Sequence, residues 1–196
     1  MSTSDDPTLS RLGAALADLP EGGPRRGPPP VERWNPPDCG AIDIRIAADG
    51  TWFHAGTPIR RPKMVKLFAS ILRCEPDGST VLVTPVEKVT ITVEDAPFVA
   101  VEMAVDGVGD ARRISFRTNV DDLVPVDDAH ALRFAQGEGG ALKPYLHVRR
   151  GLWALVTRAL TYDLVALAEE RVLEGVPWLG IAAGGRFHPI APADAA

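Results

Sequence analysis

The hairpin around residues 42–54 gathers side chains whose types and spacing suit chemistry. Asp43 and Arg45 lie two apart on one run, and Trp52 and His54 lie two apart on the run that returns. Residues two apart on a strand share a face, so each pair is presented together. An acid, a base, an aromatic ring and an imidazole on one hairpin would make a polar binding surface. The plain alternative is a cross-strand salt bridge beside a packed tryptophan. His54 as a general base oriented by Asp43 would give a small-molecule hydrolase or transferase.

Two further groups carry charge. FRTNVDD, from Phe116 to Asp122, puts Arg117 at a strand end, with Asn119, Asp121 and Asp122 in the following turn. Such turns display recognition groups, and equally form Asx-turns and helix caps. Arg149-Arg150 stand at the start of an expected helix with Glu169-Glu170 near its end, against the preference of a helix dipole. Compensation must come from Asp121, Asp122, Asp127 and Asp128 or from an anionic ligand. In a ligand groove Arg45, Arg117 and Arg149 would take anions. Trp52 would supply an apolar wall, and Asn119 would set hydrogen-bond orientation.

Other chemistries are missing from the sequence. His130, His147 and His188 are scattered, and no H-x-E or H-x-x-x-H spacing occurs, so no metal site or cofactor is expected. No G-x-S-x-G elbow is present, and DGVGD is a hairpin turn rather than a phosphate loop. Cys39 and Cys74 stand far apart and read as reduced thiols of a cytoplasmic protein. A net charge of −5 with mixed signs argues against a general nucleic-acid binder. No apolar run approaches the ~20 residues of a membrane span. Nothing in the sequence indicates an oligomeric state.

The elements that position these groups are mainly strands. Thr84–Asn119 alternates apolar and polar residues through three runs: Val89, Ile91 and Val93; Val99, Val101 and Met103; then Ile114 and Phe116. Period two of this kind marks a half-buried antiparallel sheet. Ile42, Ile44 and Ile46 alternate likewise and turn back through Asp49-Gly50. Pro62 opens a helix with Met64, Val65, Leu67, Phe68, Ile71 and Leu72 on one broad face. Strands are expected at 81–84 and 145–148, and a long helix at about 150–171. Before them come a short helix over 8–19 and a Pro-rich arm over 20–37, with the folded part starting near Trp34. The fold class is α+β, in three parts: arm 1–38, N-terminal α+β domain 39–83 and C-terminal α+β domain 84–196.

CGAIDIRIAADGTWFHAGTPIRR, VTPVEKVTITVEDAPFVAVEM, ISFRTNVDD and PYLHVRRGLWALVTRAL together resemble the bacterial "domain of unknown function 1285" family over about residues 39–170. The resemblance implies a cytoplasmic protein with an internal domain duplication. Its C-terminal half would be similar to pleckstrin-homology domains, closed by the long helix. It further implies a role in bacterial signal transduction, with a ligand or partner between the domains, and no known activity. The resulting expectation is a non-enzymatic regulatory module binding a small anionic ligand or a protein segment. Its groove would hold Asp43, Arg45, Trp52, His54, Arg117, Asn119 and Arg149. The alternatives are the hydrolase or transferase above and a protein-interaction adaptor.

Overall fold

The computed structural model describes residues 29–195. The expected helix over 8–19 and the arm up to residue 28 lie outside the described residues. Two compact units divide the chain. The first holds the described residues up to Ile46 together with Thr51–Val93; the second holds Ala47–Gly50 and the chain from Glu94 onward.

In the first unit β1 (Asp38–Ile46), β2 (Trp52–His54) and β3 (Thr57–Pro58) form a meander. Helix α1 (Pro62–Ser70) follows, then β4 (Leu72–Cys74), β5 (Thr80–Val83) and β6 (Lys88–Val93). The six strands make one sheet in the order β3-β2-β1-β6-β5-β4, with β1 and β6 parallel. Ile44 and Ile46 face the core, and the antiparallel register sets them opposite His54 and Trp52. Directly opposed residues share a face, so Trp52 is drawn inside, where it meets the Phe68 ring of α1 at 6.2 Å. Pro62 starts α1 as expected, at a position where its missing N–H costs nothing.

Two boundaries differ from the expected ones. Because β6 pairs with both β1 and β5, the first unit runs to Val93 rather than residue 83. At the start, a 3₁₀ turn over Val31–Arg33 already packs: Val31 is buried, and Arg73 donates to the carbonyls of Val31 and Trp34.

The second unit opens with β7 (Phe98–Asp106), β8 (Arg113–Thr118) and β9 (Leu123–Pro125). β10 (Leu132–Gln136), β11 (Leu142–Arg149) and β12 (Leu152–Val156) come next. Their order is β10-β11-β12-β7-β8-β9, with β12 parallel to β7. Read from its other edge this is the strand order of the first sheet. Phe98, Ala100, Ile114, Phe116, Leu146, Ala154 and Val156 form the core face. After β12 come helix α2 (Arg158–Val165) and a separate sheet of β13 (Glu169–Leu173), β14 (Val176–Ala183) and β15 (Arg186–Pro192).

The long closing helix expected over 150–171 does not form. Arg150 and Gly151 take positive φ values of 44° and 78°, which turns the chain sharply from β11 into β12. Leu152, Ala154 and Val156 are then buried in alternation, as a strand requires. Only the middle of the segment, Arg158–Val165, is helical. The described residues are mostly strand with some helix, and no helix among them is long and apolar enough to cross a membrane.

The three-stranded sheet is fastened to the larger one by side chains and turns. Arg112 donates to the carbonyls of Leu167 and Ala182, and its own carbonyl accepts from Gly184 N–H. Gly184 has φ +60°, and a Cβ there would run into the Val126 carbonyl oxygen, so only glycine lets this turn close. His188, 4% exposed, accepts from Leu132 N–H at Nδ1 and faces the Ala183 carbonyl through Nε2. That pairing requires a neutral ring with its proton on Nε2.

Burial lowers the His188 pKa from the ordinary 6.5. The unfolded chain therefore binds the extra proton first, and stability present above pH 6.5 is lost as pH falls toward the folded value. Urea unfolding between pH 7 and 5.5 should show this slope, at most ~1.4 kcal/mol per pH unit. His188→Gln, which keeps a donor and an acceptor, should flatten it. An equal slope in both proteins would contradict this role.

Candidate functional site

Alternation in the second unit leaves one face of the six-stranded sheet outside the core, and the polar residues collect there. On β7, β8 and β9 that face presents three cross-strand rows set by the register: Glu102, Arg117 and Leu123; Ala104, Ser115 and Pro125; Asp106 and Arg113. The outer rows carry ion pairs. Arg117 pairs with Glu102 and, at 2.7 Å, with Asp121; Arg113 holds Asp106 at 2.5 Å. Hydrogen bonds from these arginines keep Glu102 and Asp106 below the usual carboxylate range. Between the ridges the middle row has short side chains. Ala104, Ser115 and Pro125 line a cleft of about 470 Å³ with Val105, Asp106, Arg113, Asp127 and Gly184, and the buried Ile114 and Val126 border it from the core side.

On β10, β11 and β12 the same face is aromatic. Arg133 stands opposite Tyr145 in register. Its guanidinium carbon lies 4.9 Å from the Tyr145 ring centre and 4.5 Å from that of Trp153. Trp153 in turn meets the edge of His147 at 5.0 Å. Nδ1 of His147 donates to the Ala129 carbonyl at 2.7 Å, and Nε2 accepts from Gly151 N–H at 3.1 Å. At the near end Asp95 accepts from Lys143 (2.6 Å) and from the Tyr145 hydroxyl (2.7 Å). Burial opposes ionisation of Asp95, but these two hydrogen bonds and the positive charge nearby outweigh it and lower its pKa.

The seven residues expected to form one groove divide four and three between the units. In the first, Asp43 and Arg45 occupy the face opposite to Trp52 and His54, because Arg45 is in register with Phe53 and Ile44 with His54. Arg45 lies over the Phe53 ring at 4.1 Å, and Trp52, 1% exposed, is core rather than a binding wall. His54 and Asp43 therefore point to opposite sides of their sheet, which removes the basis for a catalytic pair. In the second unit Asn119 is a brace: its side chain accepts from Val99 N–H at 3.0 Å and reaches the Gly50 carbonyl. The turn holding it is tied by the Thr118 hydroxyl, which accepts from the N–H groups of Val120 and Asp122, and no helix follows to be capped.

Arg149 meets one of the acids named for it, Asp122, at 2.9 Å, and lies over the buried Phe98 ring at 4.8 Å. Arg117 alone of the seven belongs to a row beside the cleft. Arg133, Tyr145, His147 and Trp153 were not expected there. Treating 150–171 as one helix took Trp153 off the sheet, although Leu152, Ala154 and Val156 also alternate with period two. Among the described residues no group of three or more His, Cys, Asp or Glu is placed to hold a metal ion, and Cys39 and Cys74 are free thiols.

Comparison with known proteins bears on these features. The family model "Domain of unknown function (DUF1285), N-terminal domain" matches residues 29–96, and "Protein of unknown function (DUF1285), C-terminal domain" matches residues 97–190. The chain is similar to the crystal structure of a DUF1285 family protein from Silicibacter pomeroyi DSS-3, at 45% identity and a TM-score of 0.83. That match covers 94% of this chain and 96% of the other. A DUF1285 family protein from Shewanella baltica OS155 is 32% identical, with a TM-score of 0.49, over 64% of this chain and 91% of that one. No curated protein matches the chain.

The geometry separates the roles of two arginines. Arg149, with its side chain 15% exposed, should be structural: Arg149→Ala is expected to cost about 1–3 kcal/mol by leaving Asp122 unpaired and Phe98 uncovered. Arg117→Ala, at an exposed pair, should cost less than about 1 kcal/mol. Urea midpoints of the two variants check this; equal losses would contradict it.

Proposed function

The chain belongs to the DUF1285 family along residues 29–190, and from that premise we propose that it is a non-enzymatic, ligand-binding regulatory module. The binding site in this reading is the cleft on β7, β8 and β9, and the cleft is the observation that carries it. A volume of about 470 Å³ suits a molecule of metabolite size. Ala104, Val105 and Pro125 would receive its apolar body, and Asp106, Arg113 and Ser115 would orient a charged or hydrogen-bonding end. Arg117 keeps a ligand-facing place as part of the neighbouring row. A place in bacterial signal transduction belongs to the same proposal and rests on the family resemblance. The shared strand order of the two sheets supports an origin by internal duplication.

A protein segment is the second reading, favoured by exposed apolar side chains near the cleft. Val101, Val105 and Leu123 are 37%, 42% and 76% exposed. A segment laid along the sheet would cover them, whereas a small ligand would leave Leu123 in water.

A thermal-shift screen against metabolites, with and without Ala104→Phe, tests the first reading. Ala104 is exposed, so the larger ring should fill the cleft and leave the unliganded melting temperature nearly unchanged. A ligand at 100 times its dissociation constant adds ~2.7 kcal/mol, hence several degrees. At least one compound should stabilise the natural chain and fail on the variant. Compounds that stabilise both equally would place the site elsewhere, and silence across the panel would favour the protein segment.

A further inference from the structure

The aromatic half of the outer face supports a site of a different kind. Arg133 is exposed, yet its guanidinium lies over two rings, with the centres of Tyr145 and Trp153 both within 5 Å of its central carbon. A guanidinium lying on an aromatic ring keeps its N–H edges for other partners. Five other arginines of this unit spend those edges on carboxylates: Arg113 on Asp106, Arg117 on Glu102, Arg149 on Asp122, Arg171 on Asp110 and Arg186 on Asp128. Among the described residues Arg133 makes no ion pair and no side-chain hydrogen bond, although its charge acts on Asp95.

The acid best placed to neutralise it is already committed. Asp95 gives one oxygen to Lys143 and the other to the Tyr145 hydroxyl. The same hydroxyl bond fixes the Tyr145 ring under Arg133. His147, anchored at both nitrogens, sets its ring against Trp153. The arginine is thus oriented by groups that are themselves held, while its hydrogen-bonding edge is left open. A guanidinium prepared in this way matches a carboxylate or a phosphate, which it binds through two parallel N–H···O bonds.

We propose that Arg133 anchors an oxyanion-binding site on this sheet, taking the carboxylate or phosphate group of a ligand, with Tyr145 and Trp153 as the cradle that fixes its orientation. The proposal does not depend on the cleft on β7, β8 and β9. A cation that merely shields two rings from water would hold the same stack, so the test must read anion binding rather than stability.

Isothermal calorimetry and tryptophan fluorescence, with inorganic phosphate in one arm and acetate in the other, separate the two oxyanions. Chloride holds the ionic strength constant. The full chain should bind at least one of them saturably. Arg133→Lys keeps the charge but loses the planar fork, and should weaken binding at least tenfold; Arg133→Gln should abolish it. Trp153→Phe should lose most of the fluorescence response while calorimetry still detects binding. Saturation by phosphate alone, or by acetate alone, supports the site and names its chemistry. No saturable binding of either anion, or affinity in Arg133→Gln equal to that of the natural chain, overturns it.

Discussion

Each large sheet depends on one pairing, the parallel contact between its first and sixth strands. β1 lies beside β6 and β7 beside β12. A parallel pair cannot be joined by a tight turn. The chain must leave along one three-stranded meander and return along another, so the parallel pair becomes the seam of two back-to-back meanders. In the C-terminal sheet Ala154 beside Phe98 and Val156 beside Ala100 line this seam on the core side. The outer face is thereby divided into two parts of different chemistry: short side chains between ion pairs on β7, β8 and β9, and stacked rings with a cation on β10, β11 and β12.

Stability comes chiefly from the inner faces, and this is why several chemically inviting side chains turn out to be structural. Trp52 is buried against Phe68, and among the described residues its indole N–H has no partner. A buried, unpaired N–H costs about 1–3 kcal/mol; burial of the large ring offsets much of it, since apolar area is worth about 25 cal/mol per Å². Arg149 and Asn119 likewise hold chain segments in place: one covers Phe98, and the other ties residue 99 to residue 50. Reactive-looking residue types are thus poor guides to function when they stand opposite core positions.

Much of the sheet could be read from the sequence because strands covered on one face must alternate. Val89 and Ile91, then Ile114 and Phe116, are buried as their spacing demands, and Asp49-Gly50 and Pro62 act as turn and helix start. The stretch Leu152–Leu167 was misleading for a physical reason. Its apolar residues satisfy period 2 at first and 3.6 afterwards, and a short apolar run does not choose between them. What decides is the positive φ of Arg150 and Gly151, a constraint with little trace in composition. The split of the expected groove had a similar cause. Spacing told which residues share a strand face, but only the register of β1 against β2 put Trp52 and His54 on the other face of the sheet from Asp43 and Arg45. The Arg133 stack needed three strands in register, which spacing within any one of them does not reveal.

The central claim is that recognition belongs to the outer face of the C-terminal sheet. Backbone-amide NMR of the isotopically labelled chain, titrated with a mixture of soluble metabolites, tests it most directly. The account predicts that shifts concentrate at residues 104–106, 113–115 and 125–127, and around residues 133, 145 and 153. Shifts confined to the β1–β2 hairpin around Asp43, Arg45 and His54 would contradict it.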